Sequence, residues 1–277
     1  MKTFFTTKQP FLKATHPQED FLFFSNRYPI FVVADGVTLN PGKGKRYPKK
    51  SGAFEAAKIF CQAVVSETEK RYENFKEKDL LEIFRAGNSD VRQYNISQGR
   101  TKRTINYFDV DLFSTTASFA LIKNKKVYWF SLCDAAVAHF NKRGKRLFTS
   151  AGCWDICRGY LPKNWQEFSE KEKLIALHKN YRNKISQSGQ LIGYGVINGE
   201  ESAEFYLNKG VLKIKIGDLL FLYTDGFENY FKLKKFVELF KLWPENIDRE
   251  LNKLIAKKSK QNLRKFGAEK TLIAIAI

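Results

Sequence analysis

"GDLLFLYTDGF", residues 217–227, is an apolar run that ends abruptly in an aspartate followed by a glycine. Residues 219–223 have the length and composition of a buried strand. A second apolar run, "IFVVADG" at residues 30–36, ends in the same way at Asp35 and Gly36. An Asp-Gly pair commonly begins a turn. Two such carboxylates on converging strands could instead build one site for a hard cation, since magnesium and manganese prefer oxygen ligands.

An acidic pair, Glu19 and Asp20, stands just before the Asp35 strand. Residues 20–24 and 30–34 are typical of strands, and the turn-rich "SNRYP" between them predicts a hairpin. This hairpin would bring the acidic pair to the sheet edge where Asp35 lies. Because crowded carboxylates repel one another unless cations hold them, we expect a metal site at this edge.

The remaining pattern predicts helices, then strands, then helices and a final strand. Ser51 is positioned to cap the first helix, whose apolar residues recur at helical spacing. The predicted helices cover 52–75, 79–94 and parts of 231–259, and the predicted strands cover 114–122, 126–133, 135–140, 146–150, 203–208, 211–216, 218–224 and 271–277. We expect the four strands from 114 to 150 to form an antiparallel meander. The fold class is therefore α+β, in a single domain over residues 1–277, with a variable and partly helical insertion near 151–190.

Basic residues outnumber acidic ones, 48 to 29, which gives a formal charge of +19. Such a charge attracts polyanions, but a solvated lysine-rich surface has the same composition. We find no nucleic-acid-binding motif and no apolar stretch of membrane-spanning length, and the N-terminal residues lack the apolar core of a signal peptide. We therefore expect a cytoplasmic monomer without a membrane anchor, whose basic surface permits polyanion binding.

Four cysteines are too few and too scattered for a disulfide framework. Cys61 and Cys133 lie in apolar surroundings and are predicted core residues. Cys153 and Cys157 could form a metal or redox pair, although their spacing is not C-x-x-C. No histidine lies beside a motif-like serine or cysteine, which argues against a nucleophilic triad.

In this order of motifs, the chain resembles the metal-dependent protein serine/threonine phosphatases of the type 2C (PPM) family. The matching segments are "EDFLFF" (19–24), "FVVADGV" (31–37), "FSTTASFALI" (113–122), "VYWFSLCDAAVAHF" (127–140), "GDLLFLYTDGF" (217–227) and "TLIAIAI" (271–277). The portion "GD-x-L-x-x-x-TDG" is the most specific, because it places a turn, a buried strand and a metal carboxylate in one register.

The resemblance implies an αββα sandwich of two mainly antiparallel sheets flanked by helices, with two Mg or Mn ions at one end. It also implies hydrolysis of phosphoserine and phosphothreonine in proteins by a metal-bridging water, without a phosphoenzyme. The implied ligands are Asp35, which bridges both ions; the Gly36 carbonyl with Glu19 and Asp20, which serve one ion directly or through water; Asp225, which serves the other; and Asp134, which helps to hold a weaker third ion.

The family's last metal aspartate corresponds to Ala268 in "GAEKTLIAIAI". Glu269 lies one residue later, and alternation along a strand would turn its side chain to the other face. A longer glutamate side chain leaving a loop could still reach the metal, so Glu269 is the candidate substitute.

Two further positions depart from the family pattern. The phosphate-binding arginine corresponds to Thr15, although Lys13 or the basic loop 43–50 could supply the charge, and a further aspartate for the third metal corresponds to Asn229. The alternative to a divergent phosphatase is therefore a non-catalytic pseudophosphatase that binds phosphorylated or polyanionic partners.

Overall fold

Strands and helices alternate in blocks along the computed structural model, which describes residues 1–9, 17–39 and 51–277. The strands are β1 (Lys2–Lys8), β2 (Phe21–Phe24), β3 (Ile30–Gly36), β4 (Thr115–Lys123), β5 (Lys126–Leu132), β6 (Ala136–Phe140), β7 (Arg146–Thr149), β8 (Asn208–Lys213), β9 (Leu219–Tyr223) and β10 (Lys270–Ala276). The helices are α1 (Gly52–Arg71), α2 (Asp79–Ser97), α3 (Trp154–Tyr160), α4 (Glu170–Ala176), α5 (Lys234–Leu242), α6 (Ile247–Gln261) and α7 (Leu263–Phe266).

The strands form two five-stranded sheets in which every neighbouring pair is antiparallel. Sheet I has the order β2-β3-β4-β5-β8, and sheet II has the order β1-β10-β9-β6-β7. The strands that end in Asp-Gly, β3 and β9, therefore belong to different sheets. This arrangement confirms the predicted α+β class and its mainly antiparallel sheets.

Alternation along β3 shows how the layers stack. Ile30, Val32 and Ala34 pack in one apolar cluster with residues of α1 and α2. Phe31 and Val33, which point the opposite way, pack in a second cluster with residues of sheet II. A third cluster joins the outer face of sheet II to α5 and α6. The layers are thus helices, sheet I, sheet II and helices, which is the αββα sandwich that the resemblance implied.

The first helix begins where its sequence predicts. The Ser51 side chain accepts a hydrogen bond from the Phe54 backbone N–H at 3.1 Å and so caps α1. Phe60 of α1 meets Phe84 of α2 and Phe130 of β5 edge to face, with ring centroids 5.9 and 6.2 Å apart. These aromatic contacts attach the helical layer to sheet I.

Two sequence expectations about the strands were wrong, and one strand was missed. The meander breaks after β5: the chain passes from sheet I to sheet II between β5 and β6, and Cys133 adopts a φ of 58° at this turn. Residues 203–208 were expected as a strand, but Glu201–Tyr206 form a 3₁₀ helix. The Tyr206 hydroxyl there accepts a hydrogen bond from the Gly193 N–H, and such tertiary contacts override strand propensity. Strand β1 was not predicted at all.

The segment 151–190 contains α3, α4 and a π-helical turn, in agreement with its expected partly helical character. A buried ion pair anchors it, in which Arg182 donates to both carboxylate oxygens of Asp111 at 2.7 and 2.8 Å. Burial opposes ionisation of Asp111, but hydrogen bonds from His178 and Arg182 outweigh it and lower the pKa of Asp111 to about 2. The pair therefore fastens the end of this segment to the loop that precedes β4.

Cys61 and Cys133 are buried, as predicted, and all four cysteines are free thiols. Cys153 contacts Cys133, with 2.7 Å between the sulfur atoms, and both side chains lie in the apolar cluster beneath sheet I. Among the helices of the described residues, none is both long enough and apolar enough to cross a membrane.

We expect Phe130→Ala to lower the free energy of unfolding by about 3–5 kcal/mol, because it opens a cavity where two helices meet sheet I. Phe130 is completely buried and also stacks on Phe119 at 4.9 Å. Urea denaturation followed by circular dichroism measures the change. Phe205→Ala is the matched control, since Phe205 is 56% exposed. An equal loss of stability in both variants would contradict this account of the core.

Candidate metal centre

The end of β3 forms one wall of the centre. Asp35 lies opposite Thr116 of β4, and the Thr115 hydroxyl donates to the Asp35 backbone carbonyl at 2.7 Å. A β-carbon added to Gly36 would lie 2.8 Å from the carbonyl carbon of Ala53 at the start of α1. Only glycine allows this close approach between the strand end and the helix. The Asp35 side chain is half-buried, so the wall stays open to solvent on one side.

The hairpin brings the acidic pair to this edge, as the sequence predicts. The Gly36 N–H donates to the Glu19 carbonyl at 3.2 Å, and Phe21 lies opposite Ala34 in the register of β2 and β3. The Glu19 carboxylate accepts hydrogen bonds from the hydroxyls of Thr38 and Ser51. Glu19 therefore supports the residue that caps α1.

Asp20 connects the two sheets. Its carboxylate accepts a hydrogen bond at 2.9 Å from the hydroxyl of Thr224, the residue that follows β9 in sheet II. The same Thr224 oxygen accepts from the Thr271 N–H of β10 at 2.8 Å. The second carboxylate oxygen of Asp20, Oδ1, is buried and has no hydrogen-bond partner among the described residues. An unpaired buried carboxylate oxygen is costly and is suited to accept a cation.

Asp225 follows Thr224 and begins the 3₁₀ helix Asp225–Lys232. Asp225 is exposed to solvent. A β-carbon on Gly226 would lie 1.8 Å from the Glu269 carbonyl oxygen, so the Asp225 turn packs directly on the chain entering β10. This contact fixes the position of Asp225 relative to β10.

Glu269 points towards the centre, contrary to the simple alternation argument. Its Oε1 atom accepts hydrogen bonds from the backbone N–H groups of Glu19 at 2.6 Å and Asp20 at 2.5 Å. Glu269 shares the side of β10 that carries Thr271 and Ile273, and Ile273 packs between the sheets. One oxygen of Glu269 therefore fastens the acidic pair of sheet I to sheet II, and its role as a metal ligand stays a prediction.

Five carboxylates interact electrostatically in one centre. Burial raises the pKa of Asp35 well above its usual range, and Asp20, Asp225, Asp134 and Glu269 each raise it further. Asp134 therefore lies within electrostatic reach of Asp35, although it comes from the turn between β5 and β6.

The pKa values of the other carboxylates change in the same direction. Burial raises the pKa of Asp20 well above its usual range, and Glu269 adds to the effect. Burial raises the pKa of Asp225 to about 7, with Asp134 as the next cause, and burial also raises the pKa of Glu269 to about 7. Asp225 is exposed to solvent on one side. Protein atoms packed on its other side still bury the carboxyl group enough to raise its pKa. Burial and mutual repulsion thus oppose ionisation of all these carboxylates.

Lys270 is the residue that sequence reasoning missed. The lysine is completely buried at the start of β10, and burial lowers its pKa to about 8. Asp20, Asp225 and Glu269 oppose that change and favour its charged form. Its signal in the sequence is a lysine separated by one threonine, Thr271, from the uninterrupted apolar run "LIAIAI" at residues 272–277.

The oxygen donors of this centre suit a hard divalent cation on the Asp35 side. Asp35, the unpaired oxygen of Asp20 and the nearby Gly36 backbone are all present. On the Asp225 side, position 268 contributes only a methyl group. As their side chains stand, the described residues contain no group of three or more His, Cys, Asp or Glu arranged to hold a metal ion. Glu19, Asp20 and Glu269 instead accept hydrogen bonds from protein groups.

The remaining predicted positions are Asn229 and those that concern phosphate binding. The Asn229 side chain donates to the Lys265 carbonyl at 3.1 Å and accepts from Lys232, so it is engaged away from the centre. Thr15, Lys13 and the basic loop 43–50, which concern phosphate binding, fall outside the described residues.

Solved structures share this arrangement of strands and helices. The Mycobacterium tuberculosis serine/threonine phosphatase PstP is 14% identical, with a TM-score of 0.58 over 99% of this chain and 98% of that chain. The serine/threonine phosphatase of S. agalactiae is 13% identical, with a TM-score of 0.62 over 100% and 99% of the two chains. Staphylococcus aureus Stp1 is 17% identical, with a TM-score of 0.59 over 100% and 95%.

The chain has the fold of the type 2C serine/threonine phosphatases. No protein-family model matches its sequence, and no curated protein matches it either. The type 2C fold is thus recognised over the whole length at an identity too low to transfer activity. One structure of the PstP catalytic domain is a complex with two manganese ions, with a TM-score of 0.58 at 14% identity over 99% of this chain and 96% of that chain.

We expect the metal-free protein, kept in EDTA, to lose stability as the pH rises from about 4 to about 7. Asp225 and Glu269 have raised pKa values, so the folded state binds more protons than the unfolded state in this range. The contribution of these two carboxyl groups to the free energy of unfolding is therefore fully present below their unfolded pKa values. It is lost as the pH rises through their folded pKa values. Urea denaturation at a series of pH values measures the trend.

The Asp225→Asn variant should show a shallower decline, and Mn2+ should restore stability to the parent protein at pH 7. Asp248→Asn is the control, because Asp248 is an exposed residue of α6. The same slope in the parent and Asp225→Asn proteins would mean that Asp225 is not among the carboxylates that resist ionisation.

Proposed function

We propose that the protein is a Mg2+- or Mn2+-dependent phosphatase that hydrolyses phosphoserine and phosphothreonine in proteins. The observation that supports it most strongly is the convergence of Asp35 and Asp225. Asp35 lies at the end of β3 in sheet I, and Asp225 follows β9 in sheet II. Both nevertheless belong to the same group of interacting carboxylates. A turn-forming role for each Asp-Gly pair does not require the two to meet.

The proposed centre has two cation positions that share Asp35. The Gly36 carbonyl, Asp20 and Glu19 serve the first position, Glu19 through water because both its oxygens already accept hydrogen bonds. Asp225 serves the second position, with Glu269 as the candidate substitute for the missing aspartate at 268. Asp134, which interacts with both Asp35 and Asp225, contributes to a weaker third position.

Divalent cations at such a centre supply an activated water and neutralise charge on the phosphoryl oxygens. The chain's contribution is to hold its carboxylates on rigid backbone. Asp35 is fixed by the β3–β4 register, and Thr224 holds the carboxylate of Asp20. The exposed side of Asp225 leaves the centre open to a phosphorylated side chain on a protein surface.

The fold and the charge support this substrate class. The three solved structures are described as serine/threonine phosphatases, and a net charge of +19 favours approach of phosphorylated segments.

The alternative function is that of a pseudophosphatase that binds phosphorylated or polyanionic partners without turnover. Ala268 is the observation that favours it. Position 268 is exposed and carries no oxygen donor in its side chain, so the Asp225 side of the centre is short of one carboxylate.

We expect Asp35→Asn and Asp225→Asn each to lower kcat/KM by about 1000-fold or more, because each removes a carboxylate that holds charge-neutralising cations. Hydrolysis of a phosphothreonine peptide and of p-nitrophenyl phosphate, in EDTA, Mg2+ and Mn2+, measures the loss. The control Asp248→Asn should retain the parent rate. Full activity in either centre variant, with the fold intact, would contradict the proposal.

Ala268→Asp separates the two functions. A phosphatase predicts metal-dependent turnover in the parent protein, which Asp225→Asn abolishes. A pseudophosphatase predicts no turnover in the parent and its appearance in Ala268→Asp, since the new carboxylate completes the cation site.

A further inference from the structure

Lys270 is unusual because its whole side chain is buried at the edge of a polar centre. Lysine is almost never fully buried unless anionic groups accompany it. Here the residue has no exposed surface, and Asp20, Asp225 and Glu269 are the charges that favour its ammonium form. Its charge is therefore a component of the carboxylate centre.

The amino group of Lys270 lies beside position 268. Its Nζ atom donates a hydrogen bond to the carbonyl oxygen of Ala268. Position 268 is where the resemblance places the last metal aspartate, so the ammonium group lies beside the residue that replaces that ligand.

Packing keeps the stem of Lys270 in this location. A β-carbon on Gly226 would lie 2.7 Å from the β-carbon of Lys270, so the turn after Asp225 rests on the lysine. In the β-sheet register, Lys270 lies opposite Lys8 of β1, at the end of the strand pair. The side chain therefore leaves from a paired strand and is covered by the Asp225 turn.

The charges at positions 268 and 270 can be compared with the family pattern. Alanine in place of aspartate removes one negative charge, and the Lys270 ammonium adds one positive charge. This side of the centre is therefore two charge units more positive than one with an aspartate at 268 and a neutral residue at 270, a difference equal to the charge of one divalent cation. A metal ion placed beside the ammonium would be repelled by it.

We propose that the Lys270 ammonium fills the second cation position, beside Asp225, so that the centre binds a single divalent cation at Asp35. This inference rests on the proposed metal-dependent function, because it concerns the same centre. It assigns Lys270 a positioning role: the ammonium holds Asp225 and Asp20 in place of a metal. The centre thus combines one exchangeable cation with one that the chain itself provides.

Isothermal titration calorimetry of the EDTA-treated full chain with Mn2+ tests the inference. We expect about one Mn2+ per chain for the parent protein and about two for the double variant Ala268→Asp/Lys270→Met, which restores the carboxylate and removes the ammonium. Lys234→Met is the control, because the Lys234 side chain is 90% exposed. Near-ultraviolet circular dichroism verifies that each variant is folded.

Two bound ions in the parent protein would overturn the inference while leaving the proposed phosphatase intact. No bound ion in the parent would overturn it as well. Peptide hydrolysis, measured on the same samples, reports on the proposed function separately. One bound ion without hydrolysis would support the role of Lys270 and contradict the phosphatase proposal. One bound ion with hydrolysis would support both.

Discussion

Repulsion among carboxylates from two sheets is the constraint on which the acidic end of the sandwich depends. Asp35 lies in β3 of sheet I and Asp20 directly precedes β2 of the same sheet, whereas Asp225 and Glu269 flank β9 and β10 of sheet II. The protein joins these groups by giving some of them hydrogen-bond donors: Thr224 donates to Asp20, and the backbone of the acidic pair donates to Glu269. The same contacts that position the centre therefore also hold the sheets together.

Much of the fold could be predicted from local patterns. The β2–β3 hairpin, the Ser51 cap and strand β9 follow from turn residues, capping chemistry and apolar runs, and each is confirmed. The failures have a common cause, which is that pairing partners are set by tertiary structure. Nothing in the short turn at Cys133 indicates that β6 leaves the sheet of β5, and β1 gains its place only because β10 lies beside it. Local propensity carries no information about such partners.

The candidate centre could be predicted in part for a related reason. The Asp-Gly endings identify Asp35 and Asp225, and the hairpin brings Asp20 to the same edge. The orientation of the Glu269 side chain was harder to predict. The alternation argument placed it only relative to position 268, where the family has its aspartate. Its actual side is set by the backbone N–H groups of residues 19 and 20, which lie about 250 positions away. Lys270 was missed because a lysine beside an apolar run is usually a solvated strand end.

The separation in sequence between the parts of the centre has a consequence for folding kinetics. Strand β1 pairs with β10, with Lys2 opposite Ala276, and the acidic pair bonds to Glu269. Closing such long loops precedes any gain from the contacts, so proteins with distant pairings fold slowly. Sheet I, whose β3, β4 and β5 pair in chain order, can assemble earlier. A chain caught at that stage would already bury Phe119 and Phe130 of sheet I, but it would lack Asp225 and Glu269 at the acidic end.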